Sequence, residues 1–186
     1  YLARAVMAAP EGELTVCTLG PMRNLALAIT MEPRILPRLR QAVLMGGGFF
    51  PGGNATVASE YNVFVDPRAA HKVFGSGVPV TMASVDSTHT ALMTPEWLQR
   101  LRGTGRRTVI EAANLADFCR RHGDHKFPNP ARPIHDACAT GWLLAPVLCE
   151  QRLCNVTIEI GSPGTMGRNH RPFGALEARA DLEGGA

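Results

Sequence analysis

Short apolar runs alternate along this chain with stretches of helical spacing. Residues 13–18 (ELTVCT) alternate and then turn apolar, which predicts a short buried strand stopped by Leu19-Gly20-Pro21. Asn24 to Met31 (NLALAITM) places good helix formers at helical spacing, with Pro33 and Pro37 punctuating the residues after it. Gln41 to Met45 (QAVLM) predicts a second strand, ended by Gly46-Gly47-Gly48 and a Gly/Pro/Asn-rich loop that runs to Asn62. Asp66-Pro67 reads as an N-cap with proline in the first helical position. Val78 to Val85 (VPVTMASV) predicts a third strand, almost wholly apolar, as expected of one covered on both faces. Thr94-Pro95 caps a further helix, residues 108–122 form a longer amphipathic one, and residues 134–144 an apolar one. Residues 127–133 read as a Pro-rich loop, and Leu153 to Ile160 (LCNVTIEI) alternates as a strand. After Gly161 the pattern dissolves, and a ragged tail is expected. Strands separated by helices predict an α/β fold with a mainly parallel open sheet and flanking helices.

Composition narrows the function classes. The 186 residues are 45% hydrophobic and 19% charged, which supplies a core and argues against a disordered chain. No run approaches the ~18 apolar residues of a membrane helix, so no membrane partner is expected. The net charge is +3, and all but two of the cations are arginine, scattered along the chain. The densest pairs, Arg106-Arg107 and Arg120-Arg121, read as exposed helix faces. Aromatics are only 6%, so the basic stripe with interleaved aromatics of a nucleic-acid binder is missing, and no nucleic-acid partner is expected. The five cysteines form no CxxC pair, have apolar neighbours and predict reduced, mostly buried thiols. No histidine stands at zinc-ligand spacing. A cytoplasmic location is the expectation. The chain opens on Tyr1, inside what reads as the body of a helix through Met7, and creates the expectation of a longer parent.

In an open α/β sheet, ligands bind outside the carboxyl ends of the strands. Three loops fall there: 19–21, 46–62 and 86–90. The second carries Asn54, Glu60 and Asn62, two amides and a carboxylate suited to a polyhydroxylated ligand. The alternative is that Asn54 serves a turn and that Glu60 and Asn62 are solvated loop residues. No Lys or Arg lies between Gly46 and Asn62, and GxxxxGK[ST] is absent, so a phosphate cradle is a poor fit. His135-Asp136 begins an apolar helix, where successive side chains point ~100° apart, so the two are not expected to pair with each other. Helix capping explains Asp136 equally well. His71 reads as surface, and His122 and His125 as a solvated loop.

Five blocks in order resemble the inosine-uridine-preferring nucleoside hydrolase family: LGPMRNLALAITMEPRI, QAVLMGGGF, GNATVASEYNVFVDPRAAHKVF, VTMASVDSTHTAL and IHDACA. The resemblance is strongest over residues 14–160, within one partial domain spanning 1–186. It implies an α/β hydrolase that splits ribonucleosides of the inosine or uridine type into base and ribose with a calcium-bound water. It also implies a place in nucleoside salvage, and a homodimer or tetramer in the full-length form. Under it, Met45 stands beside the ribose, and Asn54, Glu60 and Asn62 match an N-x5-E-x-N pattern that hydrogen-bonds the ribose hydroxyls. His135 faces the leaving base, and Asp136 and the backbone carbonyl of Leu19 ligate Ca²⁺. A histidine before that aspartate favours pyrimidine or broad specificity.

The family's D-x-D-P-G-x-D-D cluster, which supplies most calcium carboxylates and the water-activating aspartate, is absent from these residues. Asp66 and Asp86 belong to other blocks. The expectation is therefore a fold incomplete at its N-terminus, with negligible hydrolysis by these residues alone. A noncatalytic ribose- or nucleoside-binding remnant and an unstable fragment are the alternatives.

Overall fold

The computed structural model describes residues 1–122 and 131–170. Its organising element is β2 (Gln41–Met45), flanked in parallel by β1 (Thr15–Thr18) and β3 (Val80–Ala83) in the order β1-β2-β3. A strand buried on both faces must be apolar at every position, and Ala42, Val43, Leu44 and Met45 are all buried. Alternation then sends them to two cores. Ala42 and Leu44 join the main core with α1 (Leu2–Ala8), α2 (Arg23–Met31) and α4 (Pro67–Phe74), through Val6, Leu25, Ile29, Ala70 and Val73. Val43 and Met45 face the opposite way, with Val85, Ala139 and the half-buried Cys17, Ala83 and Trp142 beneath α8 (Asp136–Leu144).

The register is set so that Thr18 pairs with Leu44 and Met45 with Ala83. All three strands therefore end at one rim, and the loops that leave them converge there. Short α3 (Tyr61–Val65) closes the long second loop, and α5 (Val85–Thr88) follows β3 after a single residue, Ser84. Helix starts follow the capping chemistry in the sequence. Asp66 accepts from the Ala69 amide at 3.0 Å with Pro67 at the first position of α4, and its pairing with Arg23 at 2.6 Å ties α4 to α2. That guanidinium holds the Asp66 carboxyl below the ordinary carboxylate range. Thr94 likewise accepts from the Trp97 amide at the start of α6.

The pair β4 (Leu92–Met93) and β5 (Arg132–Pro133) runs antiparallel; α6 (Pro95–Arg102) and α7 (Arg107–His122) lie between the two strands in the chain, α7 packs on α6 and on β4, and α8 follows β5. A last antiparallel pair, β6 (Thr157–Ile158) with β7 (Asn169–His170), lies against α4. None of the helices among the described residues is long and apolar enough to cross a membrane.

Several sequence expectations need correction. The alternating segment 153–160 does not extend the parallel sheet: only Thr157–Ile158 pairs, because Val156, Ile158 and Ile160 pack into the main core while Leu153 stays exposed. The third strand stops at Ala83, its four residues only half-buried, because it has one neighbour in the sheet and Val85 turns into α5. Residues past Gly161 do not fray at once, since Asn169–His170 returns to pair with β6. The thiols are reduced but not buried: Cys17, Cys138 and Cys154 are half-buried, Cys119 and Cys149 exposed. Arg120 is not a free surface cation but a half-buried partner of Asp117 at 2.9 Å. His122 ends α7, while His125, most of the Pro-rich loop and the tail beyond His170 lie outside the described residues.

Leu44 is fully buried at the centre of the sheet. Leu44→Ala is expected to cost about 2–5 kcal/mol, read as a lower urea midpoint at unchanged slope.

Candidate functional site at the carboxyl rim of the sheet

The glycine loop leaves β2 and is held from three directions. Gly46 N–H donates to the Ala83 carbonyl at 3.2 Å, and Val85 N–H donates to the Gly47 carbonyl at 2.9 Å, so the loop and the exit of β3 are laced together. The Asp86 carboxylate accepts from Phe49 N–H at 3.0 Å and Phe50 N–H at 2.9 Å. From the far end of the loop, Glu60 caps α3. Its carboxylate accepts from the amides of Gly47 at 2.9 Å, Asn62 at 2.9 Å and Val63 at 3.2 Å, with 2% of the residue exposed.

Several glycines of this loop resist a side chain, Gly47 and Gly53 for different reasons. Gly47 has φ +74°, and a Cβ there would stand 2.7 Å from Nδ2 of Asn169 on β7. A Cβ at Gly53 would stand 1.9 Å from the Ser59 carbonyl. The hairpin that carries Asn169 is in turn pinned to the loop by Ser59, whose hydroxyl donates to the Met166 carbonyl.

Asn62 is buried beside Met45. Its side-chain N–H donates to the Met45 carbonyl at 3.1 Å and lies 3.4 Å from the Met45 sulfur. Its Oδ1 carries no hydrogen bond from the described residues. Asn54 Oδ1 accepts from Tyr61 N–H at 2.8 Å, at the first residue of α3. The turn-serving role of Asn54 is thus present, whereas solvated roles for Glu60 and Asn62 are not: both are buried, the Glu60 carboxylate holding three amides and the Asn62 N–H the Met45 carbonyl.

His135 comes to the rim from the other side. Ile134 N–H donates to the Ala91 carbonyl at 2.8 Å, continuing the β4–β5 ladder and laying the start of α8 beside the end of α5. There His135 Nδ1 lies 2.8 Å from the hydroxyl of fully buried Thr88, and the His89 ring stands 5.6 Å away at 59°. Burial, then the neighbouring His89, lower the His135 pKa, with Asp136 opposing. One turn along α8, Ala139 packs with Met45 and Val85, so His135 and the glycine loop share one small core beneath them.

Asp136 is exposed in the first turn of α8, where its charge suits the positive end of the helix dipole, but the N-cap position is His135 and no side chain caps the helix. Its charge reaches Cys17 on β1 and, after burial as the larger cause, raises that thiol's pKa. Asp136 is therefore beside the end of the strand that leads to exposed Leu19. No group of three or more His, Cys, Asp or Glu side chains among the described residues could hold a metal. A calcium ion takes about six to eight oxygens, and Asp136 with the Leu19 carbonyl does not fit that demand. Two grooves lie away from the rim: one of about 270 Å³ between α2 and α4, lined by Arg23, Leu27, Asp66 and Lys72, and one of about 140 Å³ between α4 and β6. Their linings hold none of the residues gathered at the rim.

The structure thus brings Met45, Asn54, Glu60 and Asn62 into one hydrogen-bonded loop, with His135 across the small core. Sequence reasoning placed the loop 86–90 at the ligand-binding ends of the strands but gave Asp86 and Thr88 no role, and it passed over Asn169. Asp86 and Thr88 stand in a block already singled out, VTMASVDSTHTAL, but nothing in their spacing shows what they bind. Asn169 carried no signal, since its segment reads as tail.

A family model described as inosine-uridine preferring nucleoside hydrolase matches residues 1–180. A pyrimidine-specific ribonucleoside hydrolase RihA of Shewanella baltica is 40% identical over 155 residues, which are 83% of this chain and 48% of that protein. A pyrimidine-specific ribonucleoside hydrolase RihB of Escherichia coli is 33% identical over 168 residues, 90% of this chain and 53% of that one. Among solved structures, a purine-preferring ribonucleoside hydrolase from Gardnerella vaginalis superposes with a TM-score of 0.83 at 29% identity, covering 92% of this chain and 54% of its own. The chain spans about half the length of these relatives.

Gly47→Ala is expected to cost about 1–2 kcal/mol for the left-handed backbone alone, plus the clash with Asn169. Adding Asn169→Ala relieves the clash, so the pair costs at least about 0.5 kcal/mol less than the sum of the two singles. Strict additivity in urea titrations would show that Asn169 does not fill that space. Separately, Asp86→Ala is expected to speed hydrogen exchange at the Phe49 and Phe50 amides about tenfold or more, with the β2 amides unchanged.

Proposed function

Because the chain belongs to the inosine-uridine preferring nucleoside hydrolase family, we propose that its carboxyl rim is the ribose- and leaving-group-facing part of a ribonucleoside hydrolase site. One observation carries this reading: Glu60 and Asn62, buried at the end of the central strand, are held rigidly around Met45 and the glycine loop. A preset polar floor of this kind suits a sugar, whose hydroxyls need acceptors at fixed positions.

The roles follow from what each side chain has left to offer. Glu60 has three amide donors and about one lone-pair direction remaining out of four. Its charge lies behind the loop, where it favours the positive charge that develops on a sugar as the base leaves. Asn62 offers Oδ1 to a ribose hydroxyl. Met45 gives an apolar face beside it. His135, on the α8 side, donates a hydrogen bond to the departing base. Asn54 acts at one remove, by fixing the start of α3.

A calcium-bound water is the finer part of this reading, and it needs carboxylates beyond Asp136. Asp136 and the Leu19 carbonyl would be two ligands of such a shell. Hydrolysis therefore belongs to a protein of the relatives' full length, while this chain keeps the binding surface.

The test is binding. The pyrimidine-specific relatives make uridine the first probe. Amide shifts at Gly46–Gly48 and Asn62 are expected to respond to uridine and to ribose but not to uracil, and Asn62→Ala to weaken binding about tenfold, or about 1.4 kcal/mol. Turnover by this chain is expected to be negligible at any calcium concentration. Two results would overturn the proposal: binding of uracil as tight as that of uridine, or release of ribose by the pure chain that Asp136→Ala abolishes.

A further inference from the structure

The hydrogen bond between Thr88 and His135 decides which ring nitrogen carries the proton. Thr88 lies at the end of α5 with no exposed surface, and its hydroxyl is 2.8 Å from His135 Nδ1. A hydroxyl brings one hydrogen that needs an acceptor, and a buried donor left without one is costly. Among the described residues Thr88 Oγ1 has no other partner. If Nδ1–H donated to Oγ1, the hydroxyl hydrogen would be stranded in the core; if Oγ1–H donates to Nδ1, both atoms are satisfied. We propose that Thr88 is a positioning residue that donates to His135 Nδ1, and so holds the neutral ring with its proton on Nε2.

The second ring contact agrees with a fixed ring. His89 follows Thr88 directly and stands 5.6 Å from the His135 ring at a tilt of 59°, so one short segment, 88–89, touches the ring both at its edge nitrogen and at its side. Ile134 is tied to Ala91 just before the ring and Cys138 N–H donates to the His135 carbonyl just after it, which fixes the backbone that carries it. Nε2 is then the atom left for a ligand, and it presents a hydrogen rather than a lone pair. Applied to the leaving base, this deepens the proposed function and rests on it: His135 meets an acceptor on the base as a neutral donor, ready without any rearrangement of the ring. The tautomer itself stands on the geometry alone.

Long-range proton–nitrogen correlation spectra of the histidine rings in the whole chain test this, at about pH 8, where an ordinary imidazole is neutral. His135 is assigned by the signals lost in His135→Gln. The expected wild-type result is a protonated Nε2 and an unprotonated Nδ1 shifted by accepting a hydrogen bond. Thr88→Val, which keeps the side-chain shape, should move Nδ1 to the position of a free pyridine-type nitrogen, and Thr88→Ser should restore it. A protonated Nδ1 in the wild-type spectrum overturns the proposal without any variant, and so does an Nδ1 resonance that Thr88→Val leaves in place. Loss of uridine binding with the expected tautomer would instead count against the site reading alone.

Discussion

Everything at the rim depends on one buried carboxylate. Glu60 sits at the N-terminus of α3 with 2% of its surface exposed, and three backbone amides donate to it, one from the glycine loop and two from the helix it caps. A buried charge is costly unless it is hydrogen-bonded, and the first turn of a helix offers unpaired amides and the positive end of the helix dipole. Glu60 uses both, and the third amide, Gly47, belongs to the segment leaving the central strand. One side chain thus joins the two ends of a loop that has no regular structure of its own. The glycines are the other half of that arrangement. Gly47 adopts a backbone conformation that side chains resist, in a space already filled by Asn169, so Asn169 can lie there only because Gly47 has no side chain.

This dual use explains why the polar residues of the loop are not simply ligand-facing. Asn54 and most of Glu60 are occupied in building the loop, and Asn62 divides its amide between the Met45 carbonyl and an open oxygen. A sugar site made this way is preorganised: its acceptors are held before the ligand arrives, which lowers the cost of ordering them on binding. On the opposite side, α8 places His135 by a different device, a two-residue ladder with β4 and a buried hydroxyl from α5. The two sides meet over the small core of Val43, Met45, Val85 and Ala139. This second face of the central strand therefore supports the site, while the first face, packed on α1, α2 and α4, supports the fold.

What the sequence by itself determined was local and periodic. The three parallel strands, the capped helices at Asp66 and Thr94, and the breaks at the glycines are all properties of neighbours along the chain, where pattern and capping chemistry act. The residues Met45, Asn54, Glu60, Asn62 and His135 could be picked out because their types and spacing match a family pattern, and because the carboxyl ends of the strands are where an open sheet binds ligands. Pattern overreached where alternation had no strand to pair with. Residues 153–160 alternate because Val156, Ile158 and Ile160 pack in the main core, and burial on one side produces the same periodicity whether or not a ladder forms.

Only the tertiary structure decided what each polar group binds. That Glu60 and Asn62 are buried, that Asp86 ties down Phe49 and Phe50, that Asn169 lies under Gly47, and that Thr88 meets His135 are contacts between segments 13 to 122 positions apart or brought together by unrelated loops. No spacing rule links such positions, because they are set by how the sheet, its two cores and the returning hairpin stack. The same is true of what is insufficient: Asp136 stands exposed near β1 without a cluster of further carboxylates among the described residues to complete a calcium shell, a matter of which carboxylates reach one point in space. Sequence determines which chemical groups are available along the chain; their desolvation and their partners, and hence their chemistry, are set only when the segments pack.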